Sequence, residues 1–96
     1  MKAVGIKGKY LEFKGQPLVR ADNELYYGDM SEKFYLFMMI MSYKEIAKFK
    51  TQVPDKVLVQ IIPTSGSQSV EKQAMANGLS DAFDLGTAWL ERANRN

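Results

Sequence analysis

The strongest constraint on the fold is a run of eight apolar residues, FYLFMMIM, at positions 34–41. Because no polar residue interrupts it, the run shows neither the period of a half-buried strand nor that of an amphipathic helix. Its length and its three aromatic residues are typical of a strand. Asp29 and Glu32, just before the run, have the spacing of a helix capping box and leave a helix as the alternative. We interpret residues 34–41 as a central strand buried on both faces.

Short strand-like segments lie on both sides of this run. Apolar segments at positions 10–13, 18–20 and 25–27 alternate with pairs that contain Gly or Asn, and these residues accept the positive φ of tight hairpin turns. Residues 57–62 (VLVQII) lie between prolines and form the clearest strand of the chain. The sequence therefore predicts four or five antiparallel strands.

The C-terminal part of the chain has the pattern of an amphipathic helix. Projected at about 100° per residue, apolar residues between Met75 and Ala93 fall within one arc of about 120°, with charged residues opposite. The phase continues across Gly78, so we expect one helix over residues 69–94, which Gly78 weakens without ending. Gly86 lies among small residues in the middle of the arc, which predicts that the helix comes closest to the sheet there.

Strands first and helix last indicate the α+β class. The predicted architecture is an antiparallel sheet of four or five strands, N-terminal hairpins first, packed on one face by a long C-terminal amphipathic helix. A length of 96 residues with 46% hydrophobic content fits a single domain over residues 1–96.

The longest apolar run is far below the roughly 20 residues of a membrane-spanning helix, and no apolar leader is evident, so we expect a cytoplasmic protein that makes no membrane contact.

The sequence contains neither cysteine nor histidine. Disulfides, thiolate nucleophiles, imidazole bases and zinc sites built from these residues are therefore excluded. Asp81 and Asp84 lie one helical turn apart, but the sequence places no third carboxylate to complete a Mg²⁺ site. We expect no catalytic residues, no metal and no cofactor, and hence a protein that is not an enzyme; no small-molecule ligand can be inferred.

Self-association is expected from the length of the predicted helix. Over residues 69–94 it would extend about 39 Å, whereas a globule of this size is roughly 30–35 Å across, so one end should overhang. The run at 34–41 adds a second reason, because one helix shields only one of its faces. We expect a homodimer, with a monomer whose helix breaks at Gly78 as the alternative. The predicted interface residues are Met38, Met39, Met41, Trp89 and Leu90.

Basic and aromatic residues near the N-terminus indicate a second functional class, nucleic-acid binding. Residues 1–20 carry a net charge of +4, with cations to contact phosphates and rings to stack on bases. Residues 21–33 carry a net charge of −3 and would repel the same backbone, so a solvated strand face is the favoured interpretation. The candidate contacts are Lys7, Lys9, Tyr10, Lys14 and Arg20.

Two shorter motifs are weighed as ligand sites. Ser65, Gly66, Ser67 and Ser69 precede the predicted helix and have the hydroxyls and free amides of an anion loop, but the Lys and second Gly of a P-loop are missing. An ordinary connecting loop is favoured. The segment YYGD at positions 26–29 sends its two tyrosines to opposite faces of a strand, so at most one lies in the core.

The leading hypothesis from the sequence is a non-enzymatic module that binds proteins and associates with itself. A nucleic-acid-binding domain is the alternative, and a carboxylate-dependent enzyme ranks third.

Overall fold

In a computed structural model that describes residues 9–13, 15–46, 48, 51–66 and 69–95, the described chain forms eight strands and one helix. The strands are β1 (Lys9–Phe13), β2 (Gln16–Ala21), β3 (Glu24–Tyr27), β4 (Phe34–Ile40), β5 (Tyr43–Ile46), β6 (Thr51–Pro54), β7 (Lys56–Pro63) and β8 (Lys72–Asn77), and the helix is α1 (Leu79–Arg95).

Six strands form one antiparallel sheet in the order β1-β2-β3-β4-β7-β8. The five strands predicted from the sequence are β1, β2, β3, β4 and β7, and α1 packs on one face of their sheet. The α+β prediction is therefore confirmed, and β8 joins the sheet as a sixth strand. Strands β5 and β6 pair separately, between β4 and β7 in the chain.

The prediction of one helix over residues 69–94 is wrong at its N-terminal end, because Lys72–Asn77 form β8 on the edge of β7. Gly78 has a φ of +88°, a left-handed conformation that suits glycine, and it turns the chain from β8 into α1. Met75 explains the error: it falls in the apolar arc of the helix, yet residues 75 and 76 also alternate as a strand requires, with Ala76 buried and Met75 exposed. An unpaired edge of β7 resolves the ambiguity in favour of pairing.

The observed helix has 17 residues, which corresponds to about 26 Å. This is shorter than the roughly 30–35 Å expected across a globule of about 100 residues. The mismatch between helix length and globule width, from which the sequence predicted a dimer, is therefore absent.

The core lies between α1 and one face of the sheet. Alternate residues of β4 and β7 point to this face and are buried, whereas those between them are half-buried on the other face. β4 is thus a central strand, as predicted, but it is fully buried on one face rather than two. The buried apolar residues are Leu25, Tyr27, Leu36, Met38, Ile40, Val57, Val59, Ile61, Ala76, Ala82 and Leu90.

Gly86 lies at the closest approach of α1 to the sheet, as the sequence predicts. A Cβ atom built on Gly86 would lie 2.6 Å from Leu36 Cδ1. The absence of a side chain at this position therefore sets the distance between helix and sheet.

Candidate functional site

The face of the six-stranded sheet opposite α1 carries a band of apolar side chains. The register aligns them in rows across the strands, for example Met39 beside Leu58 and Leu58 beside Met75. Most members are half-buried by their neighbours within the sheet, and Met75 is 53% exposed. We call this surface the open face; its apolar residues are Val19, Tyr26, Tyr35, Phe37, Met39, Leu58, Ile62 and Met75.

Three aromatic rings pack together on the open face. The ring centroids of Tyr26 and Phe37 are 5.2 Å apart, and those of Tyr26 and Tyr35 are 6.5 Å apart. The Tyr26 hydroxyl donates to Glu24 Oε1 at 2.7 Å. This hydrogen bond, with burial and the charge of Glu24, raises the pKa of Tyr26 to about 12. Tyr26 is therefore neutral near pH 7, and the hydrogen bond fixes the orientation of its ring.

Polar groups on the open face are paired with each other. Gln60 Nε2 donates to Gln73 Oε1 at 2.9 Å, and Lys56 Nζ donates to Asn77 Oδ1 at 2.7 Å at the end of the sheet. Among the described residues, the centre of the open face thus has neither an ionised group nor a nucleophile beside a base. Such a surface is suited to packing against another apolar surface rather than to chemistry.

The structure separates the five predicted interface residues into two groups. Met38 and Leu90 are buried in the core, and Trp89 packs against that core with Lys72 Nζ 5.0 Å from its ring centroid. These three are covered by the chain itself, because the alternation of β4 and the apolar stripe of α1 point inwards. Met39 lies on the open face, and Met41 is 54% exposed just beyond β4, so these two are accessible to a partner.

The premise of the anion-loop hypothesis is wrong. Ser65, Gly66 and Ser69 are exposed and precede a strand, and Ser67 lies outside the described residues. Because the helix begins only at Leu79, its free amides are not presented by this loop.

The candidate nucleic-acid contacts are only partly described. Lys7 and Lys14 lie outside the described residues, and Lys9 and Tyr10 lie on β1, which pairs with β2. Arg20 donates its Nε hydrogen to the carbonyl oxygen two residues further on, at 3.0 Å. This bond ties Arg20 to the turn between β2 and β3.

A second candidate site, which the sequence analysis missed, is a cleft of about 720 Å³ between α1 and the loop after β3. Asn94 joins the two sides of the fold here: its Oδ1 accepts from the Phe34 amide at 2.8 Å, and its Nδ2 donates to the Phe34 carbonyl oxygen at 3.2 Å. We call this the α1 cleft; it is lined by Gln16, Tyr27, Asp29, Glu32, Asp84, Thr87, Ala88, Leu90, Glu91, Asn94 and Arg95.

The YYGD segment contributes to both surfaces. Tyr27 is in the core at the base of the α1 cleft, and Tyr26 is on the open face, so the two tyrosines point to opposite faces as the sequence predicts. Burial raises the pKa of Tyr27 above its usual value. Asp29 accepts a hydrogen bond from the Ser31 amide at 2.9 Å, which lowers the pKa of this carboxyl.

Comparison with known proteins gives no functional assignment: no protein-family model, curated protein or solved structure matches the chain. Within the described residues, no three histidine, cysteine or acidic side chains form a group that could hold a metal ion. In the same part of the chain, no helix has both the length and the apolarity needed to cross a membrane.

Proposed function

We propose that this protein is a non-enzymatic interaction module that forms a homodimer through the open face of its sheet. The observation that carries the proposal is the band of eight apolar residues on the face opposite α1. A row such as Met39, Leu58 and Met75 is stabilised when water is excluded from it, at about 25 cal/mol per Å² of apolar surface buried.

The size of the open face is sufficient for a weak dimer. It extends over five strands, from β2 to β8, and strands are spaced about 4.8 Å apart, which gives a width of about 24 Å. Six residues of strand span about 20 Å, so the footprint is about 480 Å² per copy. Two copies together bury about 960 Å² of this flat footprint, close to the minimum of about 1,000 Å² for a biological interface, and the uneven surface of the side chains adds to this area.

A second copy fits the open face better than a charged partner does. Tyr26 on this face is neutral, and Gln60 and Gln73 pair with each other. The charged Glu24 and Lys56 lie towards the end of the sheet where β3 and β7 begin. None of the described residues at the centre therefore supplies a cation to contact the phosphates of nucleic acid. Two such faces pack sheet on sheet about 10 Å apart, and a two-fold axis makes each face its own complement.

A cytoplasmic location is part of the proposal, because the absence of cysteine suits a reducing compartment. The absence of histidine and cysteine also supports a role in binding rather than catalysis.

Light scattering after gel filtration tests self-association. We expect a mass of twice 10.9 kDa at ~100 µM, falling towards the monomer on dilution. A constant mass of 10.9 kDa over ~10–500 µM would overturn the proposal.

A further inference from the structure

We propose that Met75 is a reversible oxidation site through which peroxides dissociate the dimer. This inference rests on the proposed function, because it concerns the regulation of the same open face. Met75 is 53% exposed, and its strand β8 lies at the edge of the described six-stranded sheet, where a neighbouring strand flanks it on one side. The thioether sulfur is therefore accessible to a small oxidant in the monomer.

The reaction is a two-electron transfer of oxygen from a peroxide to the thioether. The sulfur lone pair attacks one peroxide oxygen, so an S–O bond forms and the O–O bond breaks. The proton on the transferred oxygen moves to the oxygen that leaves, which gives water when the oxidant is hydrogen peroxide. The product, methionine sulfoxide, is polar, and sulfoxide reductases return it to methionine.

The surroundings of Met75 on the open face do not suit a sulfoxide in the dimer. Leu58 lies beside Met75, and Met39 lies beside Leu58 in the same row. Gln73 and Asn77, two residues to either side of Met75 along β8, already accept hydrogen bonds from β7. The new oxygen would exchange water for the apolar side chains of the second copy, and this loss of hydration weakens association.

Oxidation and association are coupled in both directions. A modification that lowers the affinity of two copies for each other is, by the same linkage, opposed by their association. In the proposed dimer the second copy covers Met75, so its sulfur reacts mainly in the monomer. Met30 is 59% exposed in the loop after β3, outside the open face, and provides an internal reference for the oxidant.

Peptide mass spectrometry after brief treatment of the full chain with hydrogen peroxide tests the site. The peroxide is in large excess at every protein concentration, and light scattering gives the fraction of dimer in the same samples. We expect the oxidation rate of Met75, divided by that of Met30, to fall at least about fivefold between mainly monomeric and mainly dimeric samples. A constant ratio while the mass doubles would overturn the inference and leave the dimer intact.

The effect of oxidation on the dimer is measured by sedimentation equilibrium. Peroxide treatment should raise the dissociation constant of the wild type at least about tenfold. Met75→Leu keeps an apolar side chain without sulfur, and its constant should change less than about twofold on the same treatment. The matched control Met30→Leu should respond as the wild type does.

Equal loss of affinity in Met75→Leu would assign the effect to another methionine and overturn the inference. Unfolding of the oxidised wild type, which far-ultraviolet circular dichroism detects, would also overturn it.

Reversibility is tested by adding a methionine sulfoxide reductase and a thiol reductant to the oxidised protein. The dissociation constant should return to within about twofold of its starting value. Complete reduction of the sulfoxide at position 75 without recovery of the dimer would contradict the proposal. A mass of 10.9 kDa at every concentration before oxidation would instead overturn the proposed function itself, and this inference with it.

Discussion

Gly86 on α1 lies directly over Leu36 on β4, so close that a Cβ atom at position 86 would come within 2.6 Å of Leu36 Cδ1. Leu36 is fully buried, so its side chain cannot move aside without disturbing the core. We expect Gly86→Leu to lower the free energy of unfolding by about 1–3 kcal/mol or more, although leucine favours helix.

Urea denaturation measures this change. The control is Ala88→Leu, on the exposed side of α1, which should alter stability by no more than about 0.5 kcal/mol. Equal effects of the two substitutions would show that Gly86 does not set the contact.

Asn94 fixes the end of α1 to the start of β4 through two hydrogen bonds with the backbone of Phe34. We expect Asn94→Ala to destabilise the protein by about 1–3 kcal/mol, because it leaves half-buried backbone groups without partners. Asn94→Asp keeps the acceptor and loses the donor, so its stability should lie between those of the wild type and Asn94→Ala. Asn77→Ala, which removes an exposed acceptor of Lys56, is the control and should have little effect in the same thermal melts.

The strands of the sheet could be predicted from the sequence because each is bounded by turn residues. The strand β8 could not, since Met75 continues the helical stripe of α1 while Ala74 and Ala76 fit the two-residue period of a strand. Only pairing with β7, whose residues lie elsewhere in the chain, distinguishes the two. The helix stripe itself is correct from residue 79 onwards, including Gly86.

The two candidate surfaces differ in how far the sequence indicates them. The apolar run at 34–41 predicts a strand whose faces must be shielded from water, and Met39 of this run lies on the open face. Which face α1 covers depends on the packing of the helix, which the run itself does not indicate. The α1 cleft combines Gln16 and Asp29 with residues of α1 far along the chain. Such a site has no local pattern, so only the fold brings it together.

Tyrosine ionisation should weaken the fold at high pH. Hydrogen bonding to Glu24, followed by burial, raises the pKa of Tyr26 from 10.0 to about 12, and burial raises the pKa of Tyr27. The folded state thus keeps protons that the unfolded chain releases, so the stabilisation is complete below about pH 10 and is lost as the pH rises towards 12. We expect the free energy of unfolding, measured in urea, to decrease over this range.

Tyr26→Phe should make this decrease shallower, because one of the two phenols with a raised pKa is removed. An unchanged slope in Tyr26→Phe would contradict the assignment.

Met75 and Met30 allow a matched test of the open face, because the first is 53% exposed on that face and the second is 59% exposed in the loop after β3. In the proposed dimer a glutamate at position 75 would place a charge against the apolar side chains of the partner, a change that costs several kcal/mol in similar interfaces. We therefore expect Met75→Glu to raise the dimer dissociation constant at least about a hundredfold, which corresponds to roughly 2.7 kcal/mol. Met30→Glu adds the same charge and should leave the constant within about threefold.

Sedimentation equilibrium gives both constants, and far-ultraviolet circular dichroism checks that each variant is folded. Equal dissociation constants for the two folded variants would place the dimer contact elsewhere on the molecule.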